Sequence, residues 1–147
     1  MTPEEIITLL DLAPHPEGGA YVETWRAEAA GGAHPTGTAI YFLLKEGEVS
    51  HWHKIVSTEV WHHYAGAPVE LRLSPTEAGP AEAHVLGKDL AAGERPQVIV
   101  PPGYWQAARP MGGWALVGCT VSPGFDFKDF VLADPSFDIP AAPDGSR

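Results

Sequence analysis

The chain has 147 residues, 44% of them hydrophobic and 19% charged, which supplies one real core but too little length for two ordinary domains. Nine basic residues against nineteen acidic ones leave a net charge of −10; such a surface repels phosphate backbones and anionic lipid, which argues against nucleic-acid and membrane partners. One cysteine, Cys119, excludes an internal disulfide and a Cys-rich zinc site.

The acidic start, Met1-Thr2-Pro3-Glu4-Glu5, lacks the basic stretch of a secretory signal, and no apolar run reaches membrane-spanning length, so the expected location is cytoplasmic. Thr2, Pro3 and Glu5 form a capping box and predict a short helix with an apolar face of Ile6, Ile7, Leu9 and Leu10, ended by Ala13-Pro14. Gly19–Arg26 alternates polar and aromatic residues as a strand does, and Glu28–Thr36 reads as an exposed loop. Further strands are expected at Thr38–Leu44, Ser50–Lys54, Glu59–Tyr64, Val69–Ser74, Ala83–Leu86, Pro96–Val100, Trp105–Ala108, Trp114–Val121 and Phe130–Leu132, with Gly, Pro or Ser at the breaks. Many short strands without intervening helices predict an all-β sandwich or barrel. The expected organisation is a single domain over 1–135 followed by a polar C-terminal tail over 136–147.

Four of seven histidines crowd into His51-Trp52-His53-Lys54-Ile55-Val56-Ser57-Thr58-Glu59-Val60-Trp61-His62-His63. Strand alternation puts His51 and His53 on one face, and Glu59, Trp61 and His63 on another shared face, with Val60, His62 and Tyr64 opposite. A short turn brings Glu59 back beside the first pair, and two imidazoles with one carboxylate are a set that binds Fe(II) or a similar ion. The same residues equally serve as strand histidines bonded to backbone or to Glu59. His15-Pro16-Glu17-Gly18-Gly19 is punctuated as a turn, with Glu17 as a side chain that can reach a ligand. Trp61 is either core filling or a ring for stacking on a ligand, and Cys119 sits in an apolar strand as a buried thiol. Pro123-Gly124-Phe125-Asp126-Phe127 is expected to turn the chain and plug the barrel.

These residues resemble the cupin superfamily: Gly47 precedes His51-Trp52-His53, Glu59 follows, and Gly66 comes six residues later, while Pro101-Pro102-Gly103 matches the second motif with Gln106 where that motif has histidine. Leu12–Gly19 with Tyr21, Glu23 and Thr24, then Ser50–His53, Glu59–His62, Val100–Gly103 and Val121–Phe127 are similar in order to the fifth cupin family, over about residues 3 to 133. The resemblance implies a double-stranded β-helix, or jelly roll, with one short N-terminal helix. It also implies a homodimer; because an uncovered sheet edge invites pairing, Tyr21–Arg26 is expected to help cover a sheet edge of the partner.

In related metal-free sugar-nucleotide epimerases a histidine is the base and a tyrosine the acid. That implies a pocket for a small polar, sugar-like metabolite and epimerase- or isomerase-like proton transfer. The catalytic candidates are His53, His63, Glu59 and Tyr104, with Tyr41 as a second tyrosine, and the ligand contacts are His51, Trp61, Gln106 and Glu17. Two alternatives remain: a divalent metal (Ni, Fe, Zn or Mn) held by His51, His53, Glu59 and weakly by Gln106, or a non-enzymatic ligand-binding or structural dimer.

Overall fold

The computed structural model describes residues 1–29, 31 and 34–142. Helix α1 (Pro3–Leu10) begins where the capping box dictates: the Glu5 backbone N–H donates to Thr2 Oγ1 at 3.1 Å, and the Thr2 N–H donates to the Glu5 carboxylate at 3.0 Å. It stops earlier than expected. Asp11 takes a left-handed backbone, φ 57°, and Ala13–Pro14 form a two-residue strand, β1, instead of a helix end.

Ten more strands follow: β2 (Ala20–Arg26), β3 (Thr38–Leu44), β4 (Ser50–Lys54), β5 (Thr58–Gly66), β6 (Val69–Ser74), β7 (Glu82–Leu86), β8 (Gln97–Val100), β9 (Trp105–Pro110), β10 (Ala115–Ser122) and β11 (Val131–Leu132). They form two antiparallel sheets, ordered β1-β2-β3-β10-β5-β8 and β11-β4-β9-β6-β7. The all-β jelly roll with one N-terminal helix is thus observed. Phe42, Leu44 and Trp61 from the larger sheet meet Leu71 and Leu73 from the smaller one in a dry core. Outside the larger sheet, Ile6 and Leu12 pack on Leu43 and hold α1 down. No helix among the described residues is long and apolar enough to cross a membrane.

Two local features position the site. In β5 the alternation holds: Glu59, Trp61 and His63 are buried inside, while Val60, His62 and Tyr64 face outward. In β4 it fails. Ser50 pairs with Ala108 and His53 with Gln106, so His51 and Trp52 together oppose the single residue Ala107 on β9. This is a β-bulge, and its extra residue turns His51 away from the side that Ser50 and His53 share.

The C-terminal segment also departs from expectation. Its described part does not fray as a polar tail: Ile139 is fully buried with Trp52, Ala81, Trp105 and Ala107, and Phe137 packs beside them. The Ala81 N–H donates to the Pro140 carbonyl and the Ala142 N–H to the Ala81 carbonyl, so the segment straps the outer face of the smaller sheet.

Candidate functional site

At one end of the sandwich the core gives way to a partly enclosed cavity of about 220 Å³. Its floor is polar, with Glu17, His53, Glu59 and Thr38, and its roof is aromatic, with Phe125, Phe127 and Phe130 beside Tyr21 and His15. The roof comes from the segment after β10. Gly124 and Phe125 donate backbone N–H bonds to the Pro35 carbonyl and to Thr38 Oγ1, and Arg26 donates to the Phe125 carbonyl at 2.8 Å.

Glu17 reaches the floor because the chain turns at Gly18 and Gly19, where φ is 111° and 79°. A β-carbon on Gly18 would overlap the Val49 carbonyl oxygen, and one on Gly19 would lie 2.8 Å from the Leu43 oxygen. Only glycine fits at either place. The motif is thus a turn, and that turn sets Glu17 on the cavity lining.

Hydrogen bonds fix where the protons sit. His53 Nδ1 lies 2.8 Å from the His51 carbonyl, which can only accept, so this nitrogen carries hydrogen. Burial pushes the His53 pKa down, against a smaller upward pull from Glu59, and keeps the ring neutral. Nε2 is then a lone pair, 3.1 Å from Glu17 Oε2. Glu17 answers as a carboxylic acid. Burial lifts its pKa to about 8, the Ser50 hydroxyl bond at 2.9 Å to Oε1 opposing this only in part. The 3.7 Å approach of His15 Nδ1 to the same carboxyl is not an ion pair, because Nδ1 accepts the Glu17 backbone N–H at 3.2 Å and burial lowers the His15 pKa to about 4. Glu17 and His53 thus share one proton.

Glu59 is held differently. Gln106 accepts the Trp61 indole N–H at 2.8 Å, which orients its amide, and donates its own N–H to Glu59 Oε1 at 2.8 Å. Burial raises Glu59 to about 7, with His53 pulling down and Glu17 pushing up. Burial also holds the Cys119 thiol well above its ordinary range, beside Glu59.

Of the residues the sequence singled out, the structure brings His53, Glu59 and Glu17 together on the cavity. Trp61 and Gln106 lie behind Glu59 and orient it, without lining the cavity. His51 is turned outward by the bulge, its Nε2 2.8 Å from the Asp134 carbonyl. His63 shares the inner face but sits at the far end of β5, bonded through Nε2 to the Ala67 carbonyl at 2.8 Å. Tyr104 packs against the core, and Tyr41 is on the outer surface edge-on to Tyr64. The cavity tyrosine is Tyr21, whose ring centroid is 4.5 Å from that of His15. Sequence reasoning passed over His15, Tyr21 and Ser50; the only pointer to them was their place in the short segments that carried the resemblance.

The expected metal set does not assemble. The bulge removes His51, the Gln106 oxygen is taken by Trp61, and its nitrogen faces Glu59. Among the described residues no three His, Cys, Asp or Glu side chains are grouped to hold a metal ion. The donor set therefore does not fit a cupin metal centre.

A family profile described as "Cupin superfamily (DUF985)" matches residues 4–133, whereas no curated protein matches the chain. Among solved structures, a protein from Shewanella oneidensis is 42% identical, with a TM-score of 0.85 over 91% of this chain and 85% of its own. A hypothetical protein from Leishmania major is 31% identical, with a TM-score of 0.81 over 93% and 90%. Bacillus subtilis oxalate decarboxylase is 14% identical with a TM-score of 0.63 over 84% of this chain and 30% of its own, a likeness of fold alone. With a profile spanning nearly all of the jelly roll and two full-length structural relatives, the chain belongs to the fifth cupin family.

Proposed function

We propose that the cavity binds a small polar metabolite of sugar-like size and moves a proton at a carbon next to its carbonyl, an isomerase-like reaction. The observation that carries this reading is the 3.1 Å approach of the buried Glu17 carboxyl to His53 Nε2 in the same cavity as Glu59. Two carboxyls with different partners divide the roles of base and acid. Glu59, at about 7, is ionised often enough at neutral pH to take a proton and is basic enough to do so well. As Glu59 takes the carbon-bound proton, Glu17 gives its proton to the carbonyl oxygen. The products are an enol, a neutral Glu59 and a Glu17 carboxylate beside His53. Where the deprotonated carbon bears a hydroxyl the enol is an enediol. Return of the Glu59 proton to the former carbonyl carbon, with that second hydroxyl giving its proton to Glu17 as it becomes the new carbonyl, completes the isomerisation and restores both groups.

The test is deuterium incorporation, followed by NMR in D₂O, into small hydroxy-carbonyl compounds with and without an amino group. The wild type is expected to exchange the proton next to the carbonyl and Glu59→Gln to lose that exchange. Absence of exchange from every compound would leave a binding module and overturn the catalytic reading.

The homodimer is part of the same proposal. β1 pairs only with Ala20 and Tyr21 of β2, so among the described residues the outer edge of Val22–Arg26 carries no strand, which is the edge a two-fold partner would cover.

A further inference from the structure

We propose that the occupant of this cavity carries a cationic nitrogen, an amino or alkylammonium group, boxed by aromatic rings and balanced by Glu59. The inference rests on the reading of the cavity as a ligand pocket and narrows its chemical class. None of the described residues lining the cavity is lysine or arginine, while Glu17 and Glu59 both face it. A phosphate, carboxylate or nucleotide would bring negative charge beside the buried Glu59 carboxylate with no lysine or arginine on the lining to meet it, at a large desolvation cost.

Glu59 is the group that lacks a counterpart. Gln106 occupies Oε1, and among the described residues Oε2 accepts no N–H or O–H bond, although the residue is only 8% exposed and lines the cavity. Its one further donor is the weak thiol of Cys119. Burial raises both acids, Glu59 to about 7, as expected of a carboxyl without a counter-ion.

The roof supplies the other half of a cation site. Phe125, Phe127 and Phe130 stand mutually edge-to-face, with centroids 4.7 to 5.9 Å apart, so that rings differently inclined bound one space, and Tyr21 adds a fourth. Ring faces attract ammonium groups, most strongly where water is excluded. The nearby arginine, Arg26, does not fill this role. It is spent on Glu23, with two bonds of 2.9 Å, and on the Phe125 carbonyl. The partly enclosed cavity, about 220 Å³, has room for a monoamine or trimethylammonium compound.

Calorimetric titration of the full chain with choline, its uncharged isostere 3,3-dimethylbutan-1-ol, and acetate decides the class. Choline is expected to bind at least tenfold more tightly than the isostere and acetate not at all. Glu59→Gln is expected to erase that preference, and Phe127→Leu, a change at the half-exposed rim of the roof, to weaken choline severalfold more than the isostere. Equal or tighter binding of the isostere, binding of acetate alone, a choline affinity untouched by both variants, or no choline binding overturns the proposal. Should an uncharged sugar bind in competition with the isostere while choline does not, only the cationic class falls and the pocket reading stands.

Discussion

Gln106 shows how one neutral side chain orients a buried acid and favours its charged form. Its oxygen can only face the Trp61 indole, which is a pure donor, so its N–H must face Glu59. That bond favours the ionised carboxylate and holds the Glu59 pKa below where burial alone would put it. Replacing Gln106 with leucine strips partners from two buried groups, at an expected cost of about 2–4 kcal/mol in denaturant unfolding. In the same variant the Glu59 carboxyl resonance is expected to titrate above its wild-type midpoint of about 7. His51 serves as the contrast. Because its ring meets the Asp134 carbonyl on the outer side, His51→Ala is expected to cost about 1 kcal/mol of stability and to leave cavity ligand affinity unchanged.

Among the elements, the turn before β2 and the bulge in β4 do most to build the site. Gly18→Ala forces a β-carbon onto the Val49 carbonyl at a backbone angle L-residues avoid, with an expected loss of about 2–3 kcal/mol. It also swings Glu17 off His53 and Ser50, so the Glu17 midpoint should fall from about 8 toward its ordinary 4.5, which a strain effect elsewhere would not produce. The strands themselves were legible. β3, β4 and β6 have the boundaries their alternation predicts, and β5 turns Glu59, Trp61 and His63 inward as read. What the pattern could not carry was anything that breaks period two. The bulge inserts a residue without changing composition, so His51 and His53 read as a pair when they are not. Equally hidden was the meeting of Glu17 with His53, since a contact across thirty-odd residues leaves no local trace. The C-terminal segment misled through its polar residues, while the one that decides its fate is Ile139.

For the whole molecule, the buried acids tie stability to pH. Glu17 and Glu59 have pKa values raised on folding from 4.5 to about 8 and about 7. The folded chain therefore keeps protons that the unfolded chain has lost, and stability drains away as pH climbs from about 4.5 through 8. His15 works in the opposite sense, its pKa lowered from 6.5 to about 4, and costs stability only as pH falls below 6.5. Above pH 6.5 the carboxyls act without that opposition. Unfolding measured at pH 6.5 and pH 8 should show a loss in the wild type, and Glu17→Gln should lose about 1–2 kcal/mol less. Assembly is read at the same scale. Light scattering is expected to give about twice the 15.7 kDa chain mass; a mass of one chain at all concentrations would remove the dimer.

The C-terminal strap reaches further than its packing suggests. The Asp134 carbonyl meets His51, the Ala133 N–H bonds the Trp52 carbonyl, and the Asp138 carboxylate accepts the Trp52 indole N–H at 2.8 Å. These neighbours precede His53 in β4, whose ring is in turn fastened to the His51 carbonyl. The strap is thus a handle on the cavity from outside. A protease nick near Pro135, or a bulky label attached at Ser136, would slacken the one histidine that shares a proton with Glu17 while touching nothing in the cavity itself.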